Sequence, residues 1–276
     1  MYDACVLSVV LTMAVGAMAG VLGALLGLGG GVFLVPFLNL VLGLPMTEAS
    51  GISLVTVIAT SSVTSATPGR LGLVNLRLGM VLEVFTTIGG LIGLVLVHRY
   101  SETTLQLAFA WVLAVVAVVM LTRLDRRNII DDCTIDVGSL GGRVWDQELN
   151  RLVAYRLKRP VVAFVVSFVA GVVSMLGIGG GVLKVPALNA WCGVPLRVAA
   201  ATSALMIAAT SVVGAIGYFA HGHPQSQLAA GAVLGVLAGS RAGFAIGARS
   251  NLRALKILMA AILAAVAALF FLRAGR

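Results

Sequence analysis

The sequence predicts an all-α polytopic membrane protein built from two inverted repeats, each a re-entrant helical hairpin followed by three transmembrane helices. Its composition is the first observation that supports this fold class. Of the 276 residues, 60% are hydrophobic and 11% charged, and the mean hydropathy is +1.08. A soluble domain carries about 25% charged residues. Several apolar runs also reach the roughly twenty residues that a helix needs to cross the hydrocarbon core of a bilayer.

A tandem duplication is the second observation. The stretch Leu26–Pro36, which carries three consecutive glycines, returns as Leu176–Pro186 after 150 positions. The same offset relates further residues of the two halves: Asn39 and Asn189, Gly43 and Gly193, Thr60-Ser61 and Thr210-Ser211, Gly89 and Gly239, Arg99 and Arg249. One offset that holds over so many positions indicates that the chain arose by duplication of one unit.

Each copy of the glycine motif interrupts a long apolar run. Glycine weakens a helix by about 1 kcal/mol and proline by about 3 kcal/mol relative to alanine, so neither run can continue as a regular helix. In a bilayer an unwound backbone persists only where it is buried in protein or lines a wet cavity. Two matched breaks, one in each half, are typical of a transporter's substrate site. The alternative is that the glycines only allow helices to pack closely.

The remaining apolar runs give the other elements in order. The first half contains Ala4–Leu28, the break, the short run Val32–Leu42, and three spans near Glu48–Thr67, Leu78–Val97 and Thr104–Leu121. The second half contains Val161–Ile178, the break, Val182–Cys192, and spans near Val198–Phe219, Leu228–Gly247 and Ala254–Phe271. We therefore divide the chain into a first repeat (1–122), a charged linker (123–159) and a second repeat (160–276).

The linker is polar and mixed in charge, which predicts an aqueous connection between the repeats. It could include a short surface helix around Asp146–Leu157. A regulatory or docking role for this segment is the alternative to a simple linker.

Positive charge decides the topology. Each short run after a break extends only about 16 Å as a helix, which is too short for the roughly 30 Å hydrocarbon core. It either completes the preceding helix, which gives parallel repeats, or returns to its own side, which gives inverted ones. Short cytoplasmic loops collect Lys and Arg. The inverted arrangement places every basic residue on one side except Arg99, Lys184, Arg273 and Arg276. It predicts a cytoplasmic linker and both termini outside.

The breaks and a few charged residues are the candidate functional groups. A helix that begins after a break offers unpaired N–H groups and a partial positive charge, which suit an anion. Lys184 replaces Leu34 of the first copy, and an ionisable side chain in a membrane segment is costly unless it faces a cavity or a partner. Arg241 could bind carboxylate or sulfonate oxygens. For both cations the alternative is snorkelling to the interface. Glu83 could pair with a buried cation or carry a proton, or it could lie near the interface.

Hydroxyl and amide side chains complete the candidate set. The Thr and Ser residues could line a permeation path, although such residues often bond to their own helix backbone. The two asparagines could line the site or cap a helix. The predicted substrate-binding residues are Gly29, Gly30, Gly31, Pro36, Asn39, Thr60, Ser61, Gly179, Gly180, Gly181, Lys184, Pro186, Asn189, Thr210, Ser211 and Arg241.

Other function classes find no support in the sequence. It contains no metal-ligand cluster, nucleophile elbow or phosphate-binding loop, so we expect no enzyme activity, no cofactor and no metal. Cys5, Cys133 and Cys192 share no metal-type or redox-type spacing. The net charge of +9 is spread over loops, so we expect no nucleic-acid partner. The expected partners are a small anionic substrate, the lipid bilayer and a coupling ion, either proton or sodium. A homodimer is left open.

The doubled glycine motif carries a family resemblance. Gly-x-Gly-Gly-Gly-x-x-x-x-Pro, the Asn three positions later and the late Gly-x-x-x-Gly followed by Arg and Leu resemble the sulfite exporter TauE/SafE permeases. The resemblance covers both halves but not the linker. It implies an inner-membrane permease that exports sulfur-containing anions such as sulfite, sulfoacetate or other organosulfonates. By position, it assigns the motif residues Gly29, Gly30, Gly31, Pro36, Gly179, Gly180, Gly181 and Pro186.

The sequence therefore predicts a secondary transporter, an exporter of such anions that works by alternating access. A passive anion channel and a membrane scaffold without transport activity are the two alternatives.

Overall fold

The chain is almost entirely helical. The computed structural model describes residues 2–26, 29–66, 72–122, 137–146, 151–222, 226–247 and 252–274. The helices of the first half are α1 (Tyr2–Leu26), α2 (Gly31–Pro36), α3 (Met46–Ala66), α4 (Leu76–Arg99) and α5 (Glu102–Thr122). Those of the second half are α6 (Pro160–Val173), α7 (Gly181–Ala190), α8 (Leu196–Ala220), α9 (Ser226–Gly247) and α10 (Leu252–Ala274).

Six helical segments within the described residues are long and apolar enough to cross a membrane. They are Leu7–Ala24, Met46–Ala66, Leu76–Arg99, Glu102–Val119, Pro160–Ile178 and Leu196–Ala220. The three spans predicted after each break are all helices, namely α3, α4 and α5 in the first half and α8, α9 and α10 in the second. The predicted class of an all-α polytopic membrane protein is therefore confirmed.

Each half begins with a helical hairpin interrupted at the glycines. The first hairpin consists of α1, α2 and a π-helical turn at Phe37–Val41, and the second consists of α6, a π-helical turn at Ser174–Ile178, and α7. The outer ends of the second hairpin meet, because the Lys158 amide donates to the Cys192 carbonyl at 2.9 Å. The chain thus enters and leaves the second hairpin at the same end of the bundle.

The first helix of each half packs on the other half. Gly16 and Gly20 of α1 lie against Ala232 and Val236 of α9, and at both positions an added Cβ would contact backbone atoms. In the equivalent pair, Gly89 and Gly93 of α4 lie against Phe168 and Val172 of α6. Small residues allow membrane helices to approach this closely. Because the residue numbers rise together in both pairs, the helices of each pair are parallel.

Equivalent helices of the two halves meet head to tail. Leu54 of α3 lies against Gly214 of α8, and Ser50, one turn earlier, lies beside Tyr218, one turn later. In α5 and α10, Phe109 packs on Phe270 with ring centroids 4.9 Å apart. The inverted relation of the repeats across a membrane stays a prediction, which this antiparallel packing supports. The division of the chain into three domains likewise stays a prediction.

The described part of the linker forms a β-hairpin, so the expectation of a surface helix around Asp146–Leu157 is wrong. Strands β1 (Gly142–Asp146) and β2 (Arg151–Tyr155) are antiparallel, with Val144 opposite Val153 and Trp145 opposite Leu152. Val144 and Val153 are buried, whereas Trp145 and Leu152 are exposed. In β1 the buried Val144 lies between the exposed Arg143 and Trp145, as the period of a strand requires, whereas Val153, Ala154 and Tyr155 of β2 are all buried.

The β-hairpin is hydrogen-bonded to the bundle through Asn75. The Asn75 side chain caps α4 by accepting from the Leu78 amide at 3.1 Å, and its Nδ2 donates to the Tyr155 hydroxyl at 2.9 Å. Its backbone amide donates to Thr202 of α8 at 3.0 Å. The linker hairpin therefore lies at the end of the bundle where α4 begins. We call this end the linker rim, and the end where α4 finishes and α5 begins the distal rim.

Candidate functional site

The two glycine breaks meet inside the bundle. Gly31, the first residue of α2, lies so close to the Gly177 carbonyl that a Cβ at this position would overlap the oxygen. Ser53 of α3 donates its hydroxyl to the same carbonyl at 2.7 Å. Tyr218 of α8 donates to the Met175 carbonyl at 2.6 Å. Side chains from both halves thus satisfy carbonyl groups at the second break, as backbone at membrane depth requires.

The glycine triplets have separable structural roles. Gly29 and Gly179, which are equivalent, have φ angles of +76° and +73°, a left-handed conformation that glycine adopts without steric penalty. Close packing involves Gly30, which lies against Ala19, Gly31, which lies against the Gly177 carbonyl, and Gly180, which lies against Ala170. All six glycines of the triplets are buried. Backbone conformation and close packing thus account for five of the six, and the binding of an anion by their amides stays a prediction.

Lys184 is a charged group buried at the second break. It lies in the first turns of α7, three residues after the last glycine, and its side chain is fully buried. Its Nζ lies 3.5 Å from Oε2 of Glu83 on α4, whose side chain is 18% exposed. The pair joins the two halves, because α4 belongs to the first half and α7 to the second.

Thr210 completes this cluster. Its hydroxyl donates to Oε1 of Glu83 at 2.5 Å and also contacts the Met206 carbonyl at 3.3 Å. Thr210 is one of the hydroxyl residues predicted for the site, and Glu83 was considered as a partner for a buried cation. The structure confirms that Glu83 pairs with a buried cation. We call Glu83, Lys184 and Thr210 the charged cluster.

The charged cluster has unused hydrogen-bonding capacity. A distance of 3.5 Å exceeds that of a direct N–H···O hydrogen bond. Nζ of Lys184 and Oε2 of Glu83 are both buried without a hydrogen-bond partner among the described residues. An ammonium group offers three donors. The attraction between the two charges offsets part of the cost of burying them, and the donors of the ammonium group make no hydrogen bond within the described part of the chain.

Both charges of the cluster depart from the duplication. The equivalent of Lys184 is Leu34, and the equivalent of Glu83 is Val233. The repeat can therefore form without either charge, because the equivalent positions in the other half are apolar. Even so, the two charged residues lie side by side in the fold. Comparing the halves position by position would have found this signal. Sequence reasoning weighed Lys184 and Glu83 separately and did not pair them with each other.

The other hydroxyl residues make different contacts. Thr60 donates to the Thr56 carbonyl of its own helix at 2.9 Å, which is the alternative considered for such residues. Ser61 is buried in the same helix. The hydroxyls of Ser203 and Ser211 on α8 are buried and have no partner among the described residues. They are further polar groups on the helix that supplies Thr210.

The two asparagines hold the ends of the short helices. Asn39 donates to the Leu44 carbonyl at 2.8 Å, and Asn189 donates to the Val194 carbonyl at 3.0 Å, so each closes the turn that follows its helix. Asn39 also donates to Glu102 at 2.9 Å and accepts from Gln106 at 3.1 Å. This arrangement is that of a structural cap at the distal rim.

Arg241 lies apart from the charged cluster. Its side chain is exposed on α9, next to the tight contact between α9 and α1. The structure therefore does not bring Arg241 together with Lys184. Pro36 and Pro186 are buried within the short helices of the two hairpins, and Pro36 directly precedes the π-helical turn of the first hairpin. Of the predicted set, the structure thus brings Lys184 and Thr210 together around Glu83.

Acidic, histidine and cysteine side chains are the usual metal ligands of proteins. Within the described part of the chain, no group of three or more of them lies close enough to hold a metal ion.

Comparison with known proteins identifies the family. The family model described as sulfite exporter TauE/SafE matches residues 12–270. The chain belongs to the sulfite exporter TauE/SafE family. Its resemblance to these permeases, predicted from the doubled glycine motif, is confirmed. A TauE/SafE protein with two interrupted hairpins is thus a multi-pass membrane transporter.

A curated relative agrees with this family. The protein is 27% identical over 267 residues to the Bacillus subtilis (strain 168) protein named "Probable membrane transporter protein YunE". The alignment covers 93% of this chain and 95% of the relative, so both halves and the linker are included. No solved structure matches the chain.

Proposed function

We propose that this TauE/SafE protein is a secondary transporter that exports small sulfur-containing anions, such as sulfite, sulfoacetate or other organosulfonates. The observation that carries the proposal is the charged cluster, in which a fully buried lysine joins the two halves at a helix break. The class of substrate and the direction of transport rest on the name of the family.

Lys184 would supply the charge that selects an anion. A buried ammonium is retained in a membrane segment only where it has a partner or a function. A sulfonate oxygen would accept charge-assisted hydrogen bonds from Nζ, which are shorter and stronger than neutral ones. Lys184 also lies near the N-terminal end of α7, where the helix dipole favours negative charge. Thr210 would supply a further hydroxyl near the anion.

Alternating access would come from movement of one half against the other. The breaks touch through Gly31 and Gly177, and the charged cluster spans α4 and α7. A displacement of either half would therefore alter both contacts together. Transporters built from inverted repeats expose a site near the bilayer midplane to one side and then the other in this way.

Flux in proteoliposomes tests the proposal. Radiolabelled sulfite, sulfoacetate and taurine are loaded, and efflux is measured with and without the same unlabelled anion outside. We expect saturable efflux that unlabelled anion accelerates, and its loss in Lys184→Met. Arg241→Ala, which removes the exposed cation, is the matched control and should keep wild-type flux. Unsaturable flux without acceleration would favour a passive channel, and no flux of any anion would favour a scaffold.

We also propose that the linker lies in the cytoplasm of an inner-membrane protein and that both termini lie outside. The linker rim contains Asn75, Tyr155 and the outer ends of the second hairpin, while the distal rim contains Asn39 and Glu102. Single cysteines at Ser139 and Ser226, both exposed, test this in a chain without native cysteines. We expect labelling from opposite sides of the membrane, and labelling of both from one side would refute the topology.

A further inference from the structure

The charged cluster is electrically balanced before any substrate binds. Lys184 is fully buried, and the nearest described charge to it is Glu83 at 3.5 Å. The pair has a net charge of zero when both groups are ionised. If a monoanion bound while both groups stayed ionised, the site would carry one uncompensated negative charge in the membrane interior. Uncompensated buried charge costs several kcal/mol, so this state is strongly disfavoured.

Protonation of Glu83 removes the excess charge. Lys184 would then pair with the substrate, and Glu83 would stay in place as a neutral acid that accepts from Thr210. The Glu83 side chain is 18% exposed while the Lys184 side chain is not exposed at all, so Glu83 is the more accessible member of the pair. The proton adds to a carboxylate oxygen from the aqueous phase, and it leaves again after the anion has departed on the other side.

Few other charges act on Glu83. Lys184 from α7 and Thr210 from α8 are the groups of the described chain that act on its carboxylate. The other charged or titratable residues of α4 are at its ends: Arg77 in the first turn, and His98 and Arg99 in the last. Those of α8 are Arg197 in its first turn and Tyr218 near its end, and α6 has none. The charge of the site therefore depends on one carboxyl group, one ammonium group and the substrate.

We propose that Glu83 takes up one proton with each monoanion that Lys184 binds, so that the protein carries proton and anion together without net charge. This inference rests on the proposed function and adds the coupling ion and the charge class of the substrate. Monoanions such as sulfonates and hydrogen sulfite would be preferred over dianions, because a dianion leaves the site negative even when Glu83 is protonated. Because proton and anion move in the same direction, export is driven by the outward gradient of the anion and proceeds only while that gradient exceeds an inward gradient of protons.

Accumulation in proteoliposomes tests the coupling. The vesicles contain purified full-length protein, and sulfoacetate analogues with one charge, such as methanesulfonate, are the probe. For wild type, an external pH one unit below the internal pH should give about tenfold accumulation, since equal numbers of protons and anions cross. A potential set with potassium and valinomycin should have no effect on the final level.

The variant Glu83→Gln keeps a neutral hydrogen-bonding side chain at the position of the protonated acid. We expect it to transport without proton coupling, so that the pH gradient has no effect, and at a lower rate than wild type because the empty site then carries the unpaired charge of Lys184. One negative charge would then cross per cycle, and an inside-positive potential of about 59 mV should give tenfold accumulation. Glu48→Gln, a carboxylate of α3 outside the charged cluster, is the matched control and should behave as wild type.

Two outcomes overturn the inference while leaving anion transport intact. The first is wild-type accumulation that follows the membrane potential and ignores the pH gradient. The second is a Glu83→Gln protein that elutes as wild type in size-exclusion chromatography and still accumulates anion with the pH gradient. The two wild-type measurements decide the question even if the variant does not fold. The absence of flux in every protein would remove the proposed function, and this inference with it.

Discussion

The two glycine hairpins share a backbone plan and differ in where they keep their charges. Both turn at a left-handed glycine, Gly29 or Gly179, and both close with an asparagine that donates to the following turn. In the second hairpin a charged residue, Lys184, is buried in the interior of the helical bundle. In the first hairpin the equivalent position is Leu34, which is fully buried and apolar.

The polar contacts of the first hairpin lie at the distal rim. Glu102 accepts from the Met46 amide at 2.8 Å and from Asn39 at 2.9 Å, and Arg273 donates to the Asn39 carbonyl at 3.0 Å. The rim of the second hairpin is closed by a backbone hydrogen bond between Lys158 and Cys192. The duplication thus explains what the hairpins share, and the asymmetry is the reason for proposing the substrate site at the second hairpin.

The largest effect on stability and transport should come from removing only one of the two charges of the charged cluster. Lys184→Met leaves Glu83 in the interior without its partner, and we expect a loss of about 3 kcal/mol in stability. Lys184→Met combined with Glu83→Gln removes both charges and should recover most of this loss, yet transport should remain absent. Thermal unfolding in detergent and flux in vesicles measure the two effects. If the double variant were as unstable as Lys184→Met alone, the loss of stability would not come from the unpaired charge of Glu83.

A smaller effect should follow from separating the two breaks. Gly31→Ala places a Cβ against the Gly177 carbonyl and the Ser53 hydroxyl, and overpacking of this kind costs about 1–3 kcal/mol. We expect a lower unfolding temperature together with slower transport, because the contact joins the two halves. Gly72→Ala is the matched control, since a Cβ there meets no atom within 4 Å. Equal effects of the two substitutions would mean that the contact between the breaks is unimportant.

The smallest effect should come from the distal rim. Glu102→Ala removes the acceptor shared by the Met46 amide, Asn39 and Gln106, and unsatisfied polar groups of this kind cost about 1–3 kcal/mol. Because the rim is open to water, we expect a value near the lower end. Unfolding temperature should fall, while the affinity for anion should stay as in wild type. A changed affinity would place the rim network in the substrate path.

Much of the fold follows from local properties of the sequence. Apolar runs predict the long helices, and Gly29 and Gly179 predict the two breaks because only glycine adopts their backbone conformation without cost. The linker was less predictable. Strands of five residues are too short to show a clear period, and β2 shows no alternation of burial at all, since Val153, Ala154 and Tyr155 are all buried.

The candidate site was predictable only in part, since its members are distant in sequence. Glu83 and Thr210 are 127 residues apart and touch because α4 packs beside α8. That packing arises because helices of one half pack against helices of the other half. No local pattern in the sequence indicates this arrangement. The asparagines illustrate the opposite case, since their recurrence in both halves reflects a structural turn. Residues that recur in both halves therefore belong to the shared architecture. Lys184 and Glu83, which have apolar residues at the equivalent positions, belong to the candidate site.

Ligand-induced thermal stabilisation of purified protein tests the central claim most directly. Methanesulfonate at about a hundred times its dissociation constant should stabilise the wild type by about 2.7 kcal/mol, and Arg241→Ala should respond equally. Lys184→Met should show no shift at any concentration of the anion. Stabilisation of Lys184→Met equal to that of wild type would contradict the claim that the buried lysine at the second break binds the substrate.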